Sequence, residues 1–178
     1  VKDNVLVTRA KGETTAGNGI HLWHSARVTV QGNTIEGHRD GIYFEFVEDS
    51  RVEGNVSRRN LRYGLHFMFS DGCDYVGNTF AENGAGVAVM YTKNVLMEGN
   101  DFDENRGTTS FGLLLKDITD SRIIANRFHD NSVGLHAEGA NRVRVEGNDF
   151  VSNGWAVKVL ADSDGSSFVG NNFVTNTF

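Results

Sequence analysis

Three residues in the first half of the chain carry side chains suited to a soft metal ion: His66 and Met68 in "RYGLHFMFSDG", and Met90 in "GVAVMYTKN". A thioether is a poor ligand for hard cations and a good one for reduced copper, and imidazole accepts borderline metals, copper among them. In an extended strand alternate residues face the same way, so Leu65, Phe67 and Phe69 would point to one side and His66 and Met68 to the other. The first set suits a core. The second turns a large apolar thioether outward beside an imidazole, which needs a reason. An apolar patch covered by another domain or subunit is the competing reading of the same residues.

Whether Met68 and Met90 are neighbours depends on the elements that carry them, and those elements repeat. A Gly-Asn pair recurs at Gly32-Asn33, Gly54-Asn55, Gly77-Asn78, Gly99-Asn100, Gly147-Asn148 and Gly170-Asn171, with Ala125-Asn126 in the remaining place. Successive asparagines are 22, 23, 22, 26, 22 and 23 residues apart. Each unit reads roughly apolar-x-x-Gly-Asn-x-Phe-x-x-Asn-x-x-Gly-Ile-x-Leu. Aligned units form apolar columns. One runs Val7, Val30, Val52, Tyr75, Met97, Ile123, Val145 and Phe168; a second runs Ile35, Ser57, Phe80, Phe102, Phe128, Phe150 and Phe173; a third runs Ile20, Ile42, Leu65, Val87, Leu113, Leu135 and Val157. The longest unit takes its extra residues at Arg106–Phe111, between strand signals, where a loop absorbs them.

A period of about 22–23 residues with three short strand signals predicts an all-β fold, a right-handed parallel β-helix or solenoid. One such coil cannot bury its apolar face alone, so coils stack at the usual interstrand spacing of ~4.8 Å. Composition agrees. The chain has no proline, 21 glycines and 18 asparagines, and Gly and Asn are the residues that tolerate left-handed corners. A second asparagine column, Asn60, Asn83, Asn105, Asn131, Asn153 and Asn176, is expected to form a buried amide ladder between coils. Leucine-rich, hexapeptide and calcium-binding nonapeptide repeats each lack their signature here.

With this register two columns face outward. One is His21, Tyr43, His66, Ala88, Leu114, His136 and Lys158; the other is Trp23, Glu45, Met68, Met90, Lys116, Glu138 and Leu160. Met68 and Met90 then lie side by side on adjacent coils, with His66 diagonal to them. His66, Met68 and Met90 are the expected metal ligands, in a solvent-open site for Cu(I). Cys73 and Met97 fall in inward columns and are expected to be core. His24, His38 and His129 show no partner pattern. Asp40, Glu45, Asp49, Asp71 and Asp74 are expected to scatter over turns, with only Glu45 in the outward columns. Glu45 has no adjacent acid there and no acidic cluster with a basic residue is seen in these columns, so no catalytic residue is expected.

The 178 residues are expected to form a single β-helix domain over 1–178. A net charge of −6 speaks against a phosphate-backbone partner. No apolar run reaches the ~20 residues of a membrane span, and one cysteine makes no disulfide framework. The opening "VKDNVLVTR" is already strand-like without a leader, which suggests an internal fragment of a longer protein.

The segments "GNGIHLWHS", "GHRDGIYFEFV", "LRYGLHFMFSD" and "GVAVMYTKN" resemble the NosD family, periplasmic β-helix proteins of nitrous oxide reductase maturation. The likeness is closest from Gly17 to about Asn100. It implies a non-catalytic periplasmic accessory protein that handles copper or docks copper carriers. It also implies ABC transporter subunits, a copper-carrying lipoprotein and nitrous oxide reductase as partners. No family ligand motif is carried over, so the copper residues rest on the columns alone. The alternative is a carbohydrate-binding or polysaccharide-modifying β-helix of the lyase or epimerase type, and a ligand-free repeat module is a third reading.

Overall fold

A computed structural model describes residues 1–9 and 12–178. Every strand pairing in it is parallel, and among the described residues there is no helix. The strands form three sheets that run the length of the molecule. One sheet contains Ile20–Ala26, Asp40–Glu48, Tyr63–Met68, Ala85–Lys93, Leu113–Thr119, Val133–Glu138 and Trp155–Val159. Each of these begins a coil that contributes one short strand to each of the other two sheets, giving seven coils of a parallel β-helix.

The repeat produces this shape for identifiable reasons. Side chains that alternate inward meet their counterparts one coil away: Ile42 against Leu65, Val52 against Tyr75, Phe102 against Phe128. All six are fully buried. The glycine at the start of the main strand in six of the seven coils, Gly19 to Gly134, is required by close approach. A Cβ on Gly41 would lie 2.6 Å from the carbonyl oxygen of Gly64 in the next coil.

The expected asparagine ladder is present, and it is doubled. In the column Asn60 to Asn176 each Nδ2 donates to the Oδ1 of the next coil, as from Asn105 to Asn131 at 3.0 Å. Asn33 to Asn171 make a second ladder at 2.9–3.0 Å. Each interior amide also takes up a main-chain group, so the ladders satisfy main-chain groups that the corners would otherwise leave unpaired. Asn105 Nδ2, for example, donates to the Phe80 carbonyl at 2.9 Å.

One column assignment fails at the first strand. Val7 is expected in the column of Val30, but Val5–Val7 pairs with Thr34–Glu36 in the sheet of Ile35, with Leu6 against Ile35. Val5 and Val7 are 76% and 58% exposed. Asp3-Asn4 stands where later coils have Gly-Asn, with Asn4 bonded to Asn33, so without that glycine the strand after the corner reads as the strand before it.

Candidate functional site

The sheet containing Tyr63–Met68 carries the outward columns in the expected register. Met90 pairs with Met68, Ala88 with His66, Tyr43 with His66 and Glu45 with Met68. The two thioethers therefore stand on adjacent strands at the ~4.8 Å strand separation, both half-buried. Glu45 is the next residue in their column on the preceding coil.

His66 departs from the expectation. It faces away from the core yet is only 4% exposed. The Tyr63 and Tyr43 rings close over it at centroid distances of 4.8 and 5.2 Å. Farther along the sheet, Ala88 and Leu114 are buried too, and Phe111 packs on His136 at 4.9 Å. The segment Arg106–Thr109 stands beside Tyr63 and Ala85 across a cleft. The residue before the strand glycine leans over this face, so its bulk at Tyr63 and Phe111 covers what alternation alone leaves open. The site open to solvent thus contains the two sulfurs but not the imidazole.

What His66 meets is a buried acid. Asp40 opens the strand Asp40–Glu48 instead of lying in a turn, and it is fully buried. Its Oδ2 lies 3.8 Å from His66 Nδ1 and 3.7 Å from Arg39 Nη2. Among the described residues neither carboxylate oxygen nor either imidazole nitrogen has a hydrogen-bond partner. Asn18, His38 and Arg39, at the same corner, add three further unpartnered atoms. Burying polar groups without partners costs stability, so this corner is the strained part of a fold that is otherwise well satisfied. Burial, then the neighbouring Glu45 carboxylate, raises the Tyr43 phenol above its usual pKa.

Phe69 corrects a second reading. The strand ends at Met68, and Phe69 turns into a left-handed conformation, φ 50°, that swings its ring out to 43% exposure. Inward are Leu65 and Phe67 alone. The corner recurs one coil to either side, so His24, Phe46, Phe69 and Tyr91 stack in an external ladder at 4.7, 5.2 and 5.2 Å. Their constant spacing was visible in the sequence. Alternation, taken one residue too far, hid it.

Cys73 is fully buried, as expected, and its Sγ donates to the Val47 carbonyl at 3.5 Å. Desolvation pushes its pKa up to about 11, which leaves an unreactive thiol at neutral pH. Met97 is likewise core. His129 sits between Asp103 and Asp130, at 2.9 and 3.2 Å. Among the described residues no group of three or more His, Cys, Asp or Glu could hold a metal ion. A metal site here would have to be built on thioethers, and those select Cu(I) over harder ions.

Comparison with solved structures finds the same architecture at low sequence identity. The A-module of mannuronan C-5 epimerase AlgE4 from Azotobacter vinelandii is 18% identical, with a TM-score of 0.69 over 89% of this chain and 59% of that one. The periplasmic alginate epimerase AlgG is 14% identical, with a TM-score of 0.63 over 86% of this chain and 47% of that one. The chain thus spans about half the length of these structures, and the likeness at such identity shows fold alone. No curated protein matches the sequence significantly. Among the described residues no helix is long and apolar enough to cross a membrane. One family model, described as periplasmic copper-binding protein (NosD), matches residues 1–178. The chain, a parallel β-helix with paired methionines on one sheet, belongs to the NosD family.

Proposed function

We propose that this protein is a non-catalytic periplasmic accessory factor for the copper centres of nitrous oxide reductase, holding Cu(I) transiently at Met68 and Met90. The pairing of these two residues on adjacent strands carries the reading, with the family match over residues 1–178 behind it. Flexible thioether side chains at strand spacing can converge on one ion, and Cu(I) accepts low coordination numbers. His66 is the third ligand only after Tyr63 and Tyr43 move aside, because its nitrogens are enclosed. An ion held by two half-exposed sulfurs binds moderately and remains accessible, as transfer to another protein requires. ABC transporter subunits, a copper-carrying lipoprotein and the reductase are the partners this reading proposes.

Chelator competition under reducing conditions tests it. Met68→Ala with Met90→Ala should abolish Cu(I) binding and leave the helix folded, since neither side chain is core. Undiminished binding in the double variant would sink the site. His66→Ala separates two outcomes: unchanged affinity means a two-sulfur site, and a drop means that the imidazole joins it.

One observation favours a second reading, in which the face modifies uronate polymers: an acid and an imidazole lie together on it, beside two tyrosines. Their enclosure opposes it, because a general base must reach the proton it removes. No turnover of alginate or pectin is expected. Turnover that disappears with Asp40→Asn or His66→Ala would replace the copper reading.

A further inference from the structure

Each coil passes through left-handed backbone at four corners. At three of them the residue is small or polar, as in Gly54, Asn94, Asp120 and Ser152. The fourth, within or just past the main strand, holds Asp117, Gly139 and Asp162 in the last three coils but His24, Phe46, Phe69 and Tyr91 in the first four. Left-handed geometry is unfavourable for bulky L-residues, and the fold does not need them there, as its own later coils show. Phe46, Phe69 and Tyr91 are 39–45% exposed, and Trp23 beside them is 62% exposed. Met68 and Met90 run along the inner edge of this strip.

The rim has a sign. On the remaining surface several carboxylates are paired with arginines, Glu36 with Arg58, Glu82 with Arg59, Asp101 with Arg127, Asp120 with Arg142 and Glu146 with Arg144, while others such as Glu98, Glu104 and Asp149 make no ion pair among the described residues. Around the strip Glu45, Glu48 and Asp49 make no ion pair among the described residues, and Asp71 meets only Lys93, at 3.8 Å. Arg27, at the outer end of the strip, and Lys116, next to Met90 but paired with Glu138, are the other nearby cations. A shallow recess where the ladder stops at Tyr91 is lined by Asp71 and Asp117 beside Lys93.

We infer that this strip docks a protein surface with an apolar stripe rimmed by lysines and arginines. Aromatic and methionine side chains are the enriched residues of interface centres, and unpaired acids at the rim select a cationic counterpart. The same acids repel polyanions, which disfavours nucleic acid, uronate chains and anionic membranes as occupants. The inference goes beyond the copper reading and holds whether or not the sulfurs carry an ion.

The probe is an amphipathic helical peptide of leucine and lysine, titrated into the Trp155→Phe protein so that Trp23 emission reports. A saturable shift is expected, with none for the leucine–glutamate counterpart, oligoalginate or phosphatidylglycerol vesicles. The triple variant Phe46→Asp, Phe69→Asp, Tyr91→Asp installs the residue that this corner carries at Asp117 and Asp162. It should bind at least tenfold more weakly although it is more negative, while Cu(I) competition is unchanged. Equal or tighter binding would mean bulk charge attraction and overturn the inference. So would preference for any of the anionic probes, or self-association of the wild type that the triple variant loses. If the triple variant does not fold, Glu45→Lys with Glu48→Lys should shift preference to the leucine–glutamate peptide, and no shift overturns the inference.

Discussion

Two aromatic ladders run through this molecule with nearly the same geometry and opposite surroundings. Inside, Phe80, Phe102, Phe128 and Phe150 stack at 5.6, 4.7 and 4.7 Å. Outside, His24, Phe46, Phe69 and Tyr91 stack at 4.7, 5.2 and 5.2 Å. The stacking comes from coil spacing and says nothing about energy. Burial does: Phe102 is fully excluded from water on ordinary strand backbone, whereas Phe69 is half-exposed on left-handed backbone. The inner ladder is therefore part of what folds the chain. The outer one is tolerated by it.

The largest effect expected is at the inner ladder. Phe102→Ala should lose about 3–5 kcal/mol in denaturant unfolding, because the removed ring leaves a cavity between Phe80 and Phe128. Phe69→Ala should lose under about 1 kcal/mol, since water already reaches the ring. Equal losses would erase the distinction between the ladders. Cys73 sharpens the picture of the same dry interior. Its thiol pKa, about 11 when folded, lies above its unfolded value, so the folded state holds the proton more tightly. The stabilisation is complete below the unfolded pKa, near 8.5, and is lost as pH rises through about 11, amounting to roughly 3 kcal/mol. A stability curve flat from pH 8 to 11 in wild type relative to Cys73→Ala would show a wetter interior. Asn105→Ala should cost about 1–3 kcal/mol, because the Asn83 main-chain N–H and the Phe80 carbonyl lose their partner. An unchanged midpoint would mean that water replaces the amide and that the boundary of the core is soft.

The coils and the register of His66, Met68 and Met90 were legible because a repeat samples each position seven times. One ambiguous residue, such as Ser57 in a phenylalanine column, does not disturb the average. Val7 was misplaced where the repeat has no neighbour on one side to correct it. Phe69 was misplaced because strict alternation was carried past Met68, where the backbone turns left-handed although the Phe69 N–H still bonds the Met90 carbonyl. Asp40 looked like a turn acid, since an acid beside a glycine ordinarily marks a turn. Nothing local says that Tyr63 will fold over the neighbouring face and bury His66 beside it.

The sequence by itself determined the β-helix, its period, its core columns, both asparagine columns and the adjacency of Met68 with Met90. All of these follow from spacing along one chain stacked on itself at a fixed rise. Only the tertiary structure decided which outward residues meet water. The enclosure of His66 with Asp40 and the exposure of Phe46, Phe69 and Tyr91 depend on how far particular side chains reach across coils and on where the backbone turns left-handed. Periodicity specifies the side of the sheet a residue is on; cover over that side is set by the bulk and direction of neighbouring rings, for His66 those of Tyr63 on its own strand and Tyr43 one coil away.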